Sequence, residues 1–146
     1  MRILLDTNIL VRTAEPGTQA CTSALTALAD LSSRDLQPCI VPQNLYEYWV
    51  VCTRPTSQNG LGFTIAQAES DISRLKALFN FLKDERAIFE QWNALVVRNG
   101  VSGRNAHDAR LVAAMQRHSV TQVLTFNKSD FTRYSEIIVL TPEDLH

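Results

Sequence analysis

Four carboxylates occupy positions from which they could act together on one substrate. Each follows an apolar run or lies near the apolar face of a predicted helix: Asp6, Glu47, Asp108 and Asp130. Carboxylates that are brought close together repel one another unless a cation balances them. Oxygen ligands without Cys or His suit Mg²⁺ or Mn²⁺ rather than zinc. A metal ion held in this way can activate a water molecule for attack on a phosphodiester.

Asp6 follows the first apolar run of the chain. Residues 3–5, Ile-Leu-Leu, predict a short strand that is buried on both faces and ends at Asp6. In open α/β sheets, ligands bind at the carboxyl ends of the strands. Asp6 could equally cap the turn that follows the strand. Further acids at the same sheet edge would favour the functional interpretation.

Glu47 lies in a helix that is apolar nearly all round. Residues 39–41 predict a second strand, and Pro42 then introduces a helix from about Gln43 to Thr53. An ionised carboxylate is costly to bury without a partner. Either Arg54, on the same helix face, or a metal ion could be that partner.

The last two acids occur in the second half of the chain. Asp108 shares a helix face with apolar residues, although Asn105 and Asp108 could instead form a variant capping box. Asp130 follows the predicted strand 123–125, where it could simply shape a turn. We expect His107 to be a polar neighbour of the acids rather than a ligand. His118 and His146 are expected to be structural or solvated.

The order of these elements predicts the fold class. Strands alternate with helices from the first residues to a last strand at 137–140, which indicates an α/β protein with a central parallel sheet. We predict a three-layer α/β/α sandwich that forms a single domain over residues 1–146. Two long helical patterns, one at 64–82 and one that Asp84 could cap, further predict a helical hairpin packed on the sheet or a partner surface.

Composition and charge exclude several classes of protein. A formal net charge of −1 gives no overall basic field, so binding of nucleic acid must rest on local groups. The cysteines fit neither a disulfide framework nor a zinc site, which predicts a reduced, cytoplasmic protein: Cys21, Cys39 and Cys52. No segment has the pattern of a secretory signal or of a membrane span.

Taken together, the motifs resemble those of the PIN-domain family, in particular toxins of the VapC type. The resemblance runs from Ile3 to Leu140 and includes D-T-N after the first strand, the lone Glu47, H-D-A at 107–109 and T-x-N-x-x-D-F at 125–131. Position by position, three acids match the principal acids of the family: Asp6, Glu47 and Asp108. Asp130 matches a more variable fourth acid. Asn127 stands where many members have an acid, so either Asp130 or Asn127 completes the site.

The resemblance implies a PIN-like, Rossmann-like fold and a Mg²⁺- or Mn²⁺-dependent endoribonuclease that leaves 5′-phosphate and 3′-hydroxyl ends. It further implies the toxin of a type II toxin-antitoxin pair, which forms a homodimer and is restrained by a small antitoxin. Supporting residues would orient ligands or phosphate: Thr7, Asn8, Thr125 and Asn127. Basic residues would hold the RNA backbone: Arg12, Arg54, Arg104, Arg110 and Lys128.

Three alternatives share parts of this pattern. A PIN ribonuclease of RNA processing, without an antitoxin, would have the same site residues. A phosphoacceptor signalling domain needs an acceptor Asp after a central strand, and residues 51–63 contain no Asp. A non-catalytic PIN-like module would be expected to have lost acids, whereas all four are present.

Overall fold

A sheet of five parallel strands forms the centre of the protein. The computed structural model describes residues 1–145, so the expectation for His146 lies outside the described residues. The strand order is β3-β2-β1-β4-β5, and every neighbouring pair is parallel. In chain order the strands are β1 (Arg2–Leu5), β2 (Gln37–Ile40), β3 (Asn80–Phe81), β4 (Gln122–Leu124) and β5 (Ile138–Leu140).

Six α-helices cover the two faces of this sheet. They are α1 (Thr7–Thr13), α2 (Gln19–Ser33), α3 (Pro42–Thr53), α4 (Ile65–Leu78), α5 (Ala87–Arg98) and α6 (Asn105–Arg117). Successive strand residues point to opposite faces. Leu4 therefore packs in the core beneath α5 and α6, while Ile3 and Leu5 pack in the core beneath α1 to α4. The predicted three-layer α/β/α sandwich with a parallel central sheet is confirmed.

The chain reverses its direction across the sheet between β1 and β4. From β1 it proceeds through β2 to β3 at one edge, and after α5 and α6 it returns to place β4 on the other side of β1. The loops that leave β1 and β4 consequently diverge at their carboxyl ends. Such a topological switch point opens the crevice in which α/β proteins bind ligands.

The predicted helical hairpin is wrong, because a strand separates its two helices. Helix α4 ends at Leu78, and β3 then pairs with β2. Leu75 of α4 packs in the core beneath α1 to α4, whereas Ile88 and Leu95 of α5 pack with α6 on the opposite face. The apolar spacing continues past Leu78 without a break, and a strand of two residues is too short to show its own alternation.

Two smaller expectations concern caps and cysteines. Asp84 does not cap α5, which begins at Ala87; it instead accepts a hydrogen bond of 3.3 Å from Arg110. The three cysteines are unpaired and buried. Within residues 1–145, no helix combines the length and the apolar character needed to cross a membrane.

The packing of α5 on α6 can be tested with two leucine truncations. Leu95→Ala should lower the free energy of unfolding by about 2–5 kcal/mol, because Leu95 is 1% exposed and a cavity would remain. Leu25→Ala on α2 is the matched control, since Leu25 is 53% exposed and its loss should cost roughly 0.5 kcal/mol or less. Urea denaturation measures both values; equal effects would contradict this packing of α5.

Candidate functional site

Asp6 is held rigidly at the carboxyl end of β1. Its backbone N–H donates to the carbonyl of Leu124 at 2.9 Å, which continues the pairing of β1 with β4. Its Oδ1 accepts the N–H of Thr7 at 2.8 Å, and its Oδ2 accepts the hydroxyl of Thr125 at 2.7 Å. Asp6 therefore does cap α1, and the same contacts fix its carboxylate at the switch point. It is 6% exposed, and Thr125 is fully buried.

Glu47 reaches the same region from α3. Its Oε1 accepts the hydroxyl of Thr7 at 2.7 Å, and its Oε2 accepts the side-chain amide of Gln43 at 3.3 Å. Within residues 1–145 it forms no ion pair with Arg54, so that alternative is wrong. Arg54 follows the last residue of α3 in an extended conformation, and its Nη2 lies 3.5 Å from the carbonyl of Asn59.

Asp108 and Asp130 complete one groove with the first two acids. Asp108 lies in the first turn of α6; because Arg104 precedes this helix and Asn105 is its first residue, the alternative of an Asn105 cap is wrong. Asp130 lies in a 3₁₀ turn, Lys128–Asp130, after β4. All four acids line a groove of about 1290 Å³, which we call the acidic groove.

Negative charge in the acidic groove is not compensated. Burial raises the pKa of Asp6 to about 6, and the charges of Glu47 and Asp130 add to this, against hydrogen bonds from Thr125 and Thr7. Burial also raises the pKa of Asp108 to about 7, with further contributions from the other three acids and an opposing one from Arg133. Within residues 1–145, no basic side chain lies within 4.0 Å of any of the four carboxylates.

The donor set suits a hard divalent cation. The acidic groove offers carboxylate, hydroxyl and amide oxygens, which are the ligands of Mg²⁺ and Mn²⁺. In the part of the chain described, no three His, Cys, Asp or Glu side chains are close enough to hold an ion as they stand. The fit therefore rests on donor chemistry.

The predicted supporting residues tie the loop after β4 to α1. Asn8 donates to the hydroxyl oxygen of Thr125 and accepts from the N–H of Phe126, both at 3.3 Å. The N–H of Asn127 also donates to Thr125, at 3.0 Å. Thr125 thus accepts two hydrogen bonds, and its hydroxyl donates one to Asp6. Asn127 and Asp130 both line the acidic groove.

Four of the five predicted basic residues line the acidic groove: Arg12, Arg54, Arg104 and Arg110. Arg12 pairs with Glu15 at 2.8 Å. Arg110 pairs with Asp84 at 3.3 Å and donates to the side chain of Gln43 at 3.3 Å. Lys128 is next to Asn127 in sequence but does not line the groove.

Sequence reasoning missed Gln43 and Asn44. Asn44 is fully buried; its amide donates to the carbonyl of Leu5 at 3.0 Å and to the hydroxyl of Thr7 at 3.1 Å, while its oxygen accepts the N–H of Val41 at 2.9 Å. Gln43 donates to the carbonyl of His107 at 2.7 Å as well as to Glu47. The available signal was a pair of amides in the first turn of an otherwise apolar helix.

Residues 3–137 match the sequence profile of the PIN domain. The chain belongs to the PIN-domain family. This confirms the family predicted from the four motifs. Comparison of this PIN domain with curated protein sequences finds no match.

Solved structures similar to this PIN domain include components of toxin-antitoxin systems. VapBC2 of Rickettsia felis, bound to a promoter DNA fragment, has 16% identity and a TM-score of 0.69 over 97% of this chain and 98% of that one. A toxin-antitoxin complex from Klebsiella pneumoniae has 24% identity and a TM-score of 0.64 over 96% and 97%. VapC20 of Mycobacterium tuberculosis, a sarcin-ricin loop cleaving toxin, has 16% identity and a TM-score of 0.67 over 90% and 95%. At these identities, the likeness establishes the shared fold.

Asn44 can be tested with an isosteric substitution. Asn44→Asp removes both donated hydrogen bonds and buries a carboxyl, whose pKa folding should raise. A group whose pKa is higher in the folded state makes the protein less stable as pH rises. The deficit in the free energy of unfolding relative to the parent should therefore grow from pH 4 to pH 8. At pH 8 we expect the free energy of unfolding of Asn44→Asp to be lower than that of the parent by at least about 2 kcal/mol. The exposed Asn93→Asp is the control, and a deficit independent of pH would contradict the burial of this carboxyl.

The burial of Asp108 beside other acids predicts that removing its charge stabilises the fold at high pH. Folding raises the pKa of Asp108 from 3.8 to about 7, so its contribution to stability is lost as pH rises through that range. Asp108→Asn should therefore be more stable than the parent at pH 8, by about 1–2 kcal/mol after allowance for solvent screening. The gain should vanish at low pH. Denaturation at several pH values measures it, with exposed Glu143→Gln as the control; a gain equal at all pH values would contradict the argument.

Proposed function

We propose that this PIN domain is a metal-dependent endoribonuclease and the toxin of a type II toxin-antitoxin pair. The observation that carries this proposal is the convergence of Asp6, Glu47, Asp108 and Asp130 on one groove at the switch point of the sheet. No basic side chain of residues 1–145 neutralises them within 4.0 Å. A groove that concentrates negative charge in this way favours a divalent cation and, through it, a phosphodiester substrate.

Asp6, Glu47 and Asp108 would hold Mg²⁺ or Mn²⁺, with Asp130 or Asn127 completing the site. When bound, the ion supplies an activated water molecule and stabilises charge that develops on the phosphate. Protons must leave Asp6 and Asp108 before these groups can ligate, because their pKa values lie at about 6 and about 7. Binding of the ion is therefore favoured as pH rises through this range.

The protein's own contribution is to orient the acids. The hydroxyls of Thr125 and Thr7 donate to Asp6 and Glu47 respectively, and each leaves other oxygen lone pairs of its acceptor free to bind an ion. Asn44 donates to Thr7 and so directs the proton of that hydroxyl toward Glu47. Arg104 and Arg110 lie beside the acids and can contact phosphates of the RNA backbone.

The toxin part of the proposal is supported by the similar structures. Two of them contain toxin-antitoxin pairs, and their likeness to this PIN domain extends over nearly the whole chain. VapC20 is described as a toxin that cleaves the sarcin-ricin loop. By analogy we propose an RNA substrate, a homodimeric form, a small antitoxin partner and a cytoplasmic location for this chain.

Ribonuclease activity can be tested with purified protein and a labelled RNA. Cleavage should require Mn²⁺ or Mg²⁺, stop on addition of chelator, and fall by at least about 100-fold in Asp6→Asn and Asp108→Asn, because each removes a metal ligand. Glu69→Gln, an exposed substitution on α4, is the control. Full cleavage by both Asp variants would contradict the assignment of these acids.

The role as a toxin is tested separately in growing cells. Induced expression of the chain should arrest growth, Asp6→Asn should not, and co-expression of the adjacent open reading frame should relieve the arrest. Cleavage in vitro without growth arrest would instead favour a ribonuclease of RNA processing.

A further inference from the structure

We infer that Tyr46 and Arg54 form a nucleotide subsite at the α3 end of the acidic groove, in which Tyr46 stacks on an unpaired base and Arg54 binds a backbone phosphate. This inference rests on the proposed function, since it places an RNA substrate in the groove. It adds a base-binding position to the phosphate chemistry of the acids.

Tyr46 and Val50 lie one turn apart on the same side of α3, and Arg54 follows the end of the helix in an extended conformation. All three line the acidic groove. Tyr46 is 64% exposed and Val50 is 54% exposed. The exposed ring of Tyr46 and the neighbouring Val50 side chain form a flat apolar surface that is not covered by other parts of residues 1–145.

Arg54 lacks the partners that a guanidinium normally has. Within residues 1–145 it forms no ion pair, and its only side-chain hydrogen bond is the 3.5 Å contact with the carbonyl of Asn59. Its Nε is buried and makes no hydrogen bond. Leaving a buried N–H of a cation unpaired is unfavourable. A phosphate can accept hydrogen bonds from the terminal nitrogens of this guanidinium and so supply the anionic partner that residues 1–145 do not.

The loop after α3 fixes the position of Arg54. The N–H of Gly62 donates to the carbonyl of Arg54 at 2.9 Å, and that of Leu61 donates to the carbonyl of Val51 at 3.1 Å. Gly60 packs so closely that a Cβ atom there would lie 2.0 Å from the carbonyl oxygen of Arg54. Because the loop is tied to the end of the helix, the backbone of Arg54 is held in a fixed position beside the groove.

The combination of an aromatic face with an unpaired cation fits a nucleotide better than an apolar partner. A purely apolar surface over Tyr46 and Val50 would leave Arg54 uncompensated. Single-stranded nucleic acid satisfies both groups, because its bases stack on aromatic side chains while its phosphates bind basic ones. Bases in a duplex do not expose a face for stacking, so the subsite should select unpaired RNA.

Fluorescence anisotropy of a labelled single-stranded RNA decamer, measured with Mg²⁺ in the cleavage-deficient Asp6→Asn background so that the RNA stays intact, tests the subsite. Tyr46→Ala should weaken binding by roughly 5- to 100-fold with an unchanged salt dependence, because it removes stacking but no charge. Tyr46→Phe should bind as the parent does. Arg54→Gln should weaken binding and reduce the slope of log K against log salt by about 0.7, because one phosphate contact is lost. A fully paired hairpin should bind with no dependence on Tyr46.

Two matched controls lie outside the groove. Phe89→Ala removes an aromatic ring that is 60% exposed on α5, and Arg98→Gln removes a surface charge from the same helix. If Tyr46→Ala and Arg54→Gln behave like these controls while RNA is still bound and cleaved, the subsite is overturned and the proposed function stands. If RNA is bound with the predicted dependence but never cleaved with metal present, the subsite stands and the proposed function fails. A change in subunit association in Tyr46→Ala, with unaltered RNA affinity, would overturn the subsite in favour of an interface between copies of the chain.

Discussion

The burial of several carboxylates at one sheet edge is the constraint on which the rest of this structure depends. Burial, with a smaller contribution from the neighbouring acids, raises the pKa of both Asp6 and Asp108. Such an arrangement persists only where rigid surroundings hold it. Here the rigidity comes from the parallel sheet, in which β1 and β4 are hydrogen-bonded neighbours although their residues are far apart in the chain.

The buried polar groups next to the acids supply the second part of that rigidity. Asn44 links the end of β1 to the first turn of α3 through Leu5 and Val41, and it also holds the hydroxyl of Thr7. Because Asn44 is fully buried, each of its hydrogen bonds acts in a medium of low polarity and is costly to lose. Glu47 is therefore oriented by side chains that themselves have little freedom to move.

The acidic groove is asymmetric, and the asymmetry indicates how a substrate would lie in it. Asp108 and Arg110 line it from α6, whereas Tyr46 and Val50 line it from α3 and Arg54 from the residue that follows α3. A phosphodiester chain in the groove would meet cation-binding chemistry and an aromatic face. Recognition and cleavage would then depend on different residues of the same helix, α3.

The sequence by itself determined the parallel sandwich, the family and the four acids that line one groove, because strands buried on both faces and polar residues at their ends leave local patterns. Tertiary structure alone decided which partners those residues meet. Arg54 could have paired with Glu47 by helical spacing, yet the chain turns extended at Arg54 and the pair is absent. Sequence patterns also could not predict strand β3, because a strand of two residues has no periodicity. They could not predict the contacts of Asn44 with Leu5 and Thr7, because these partners are distant in sequence.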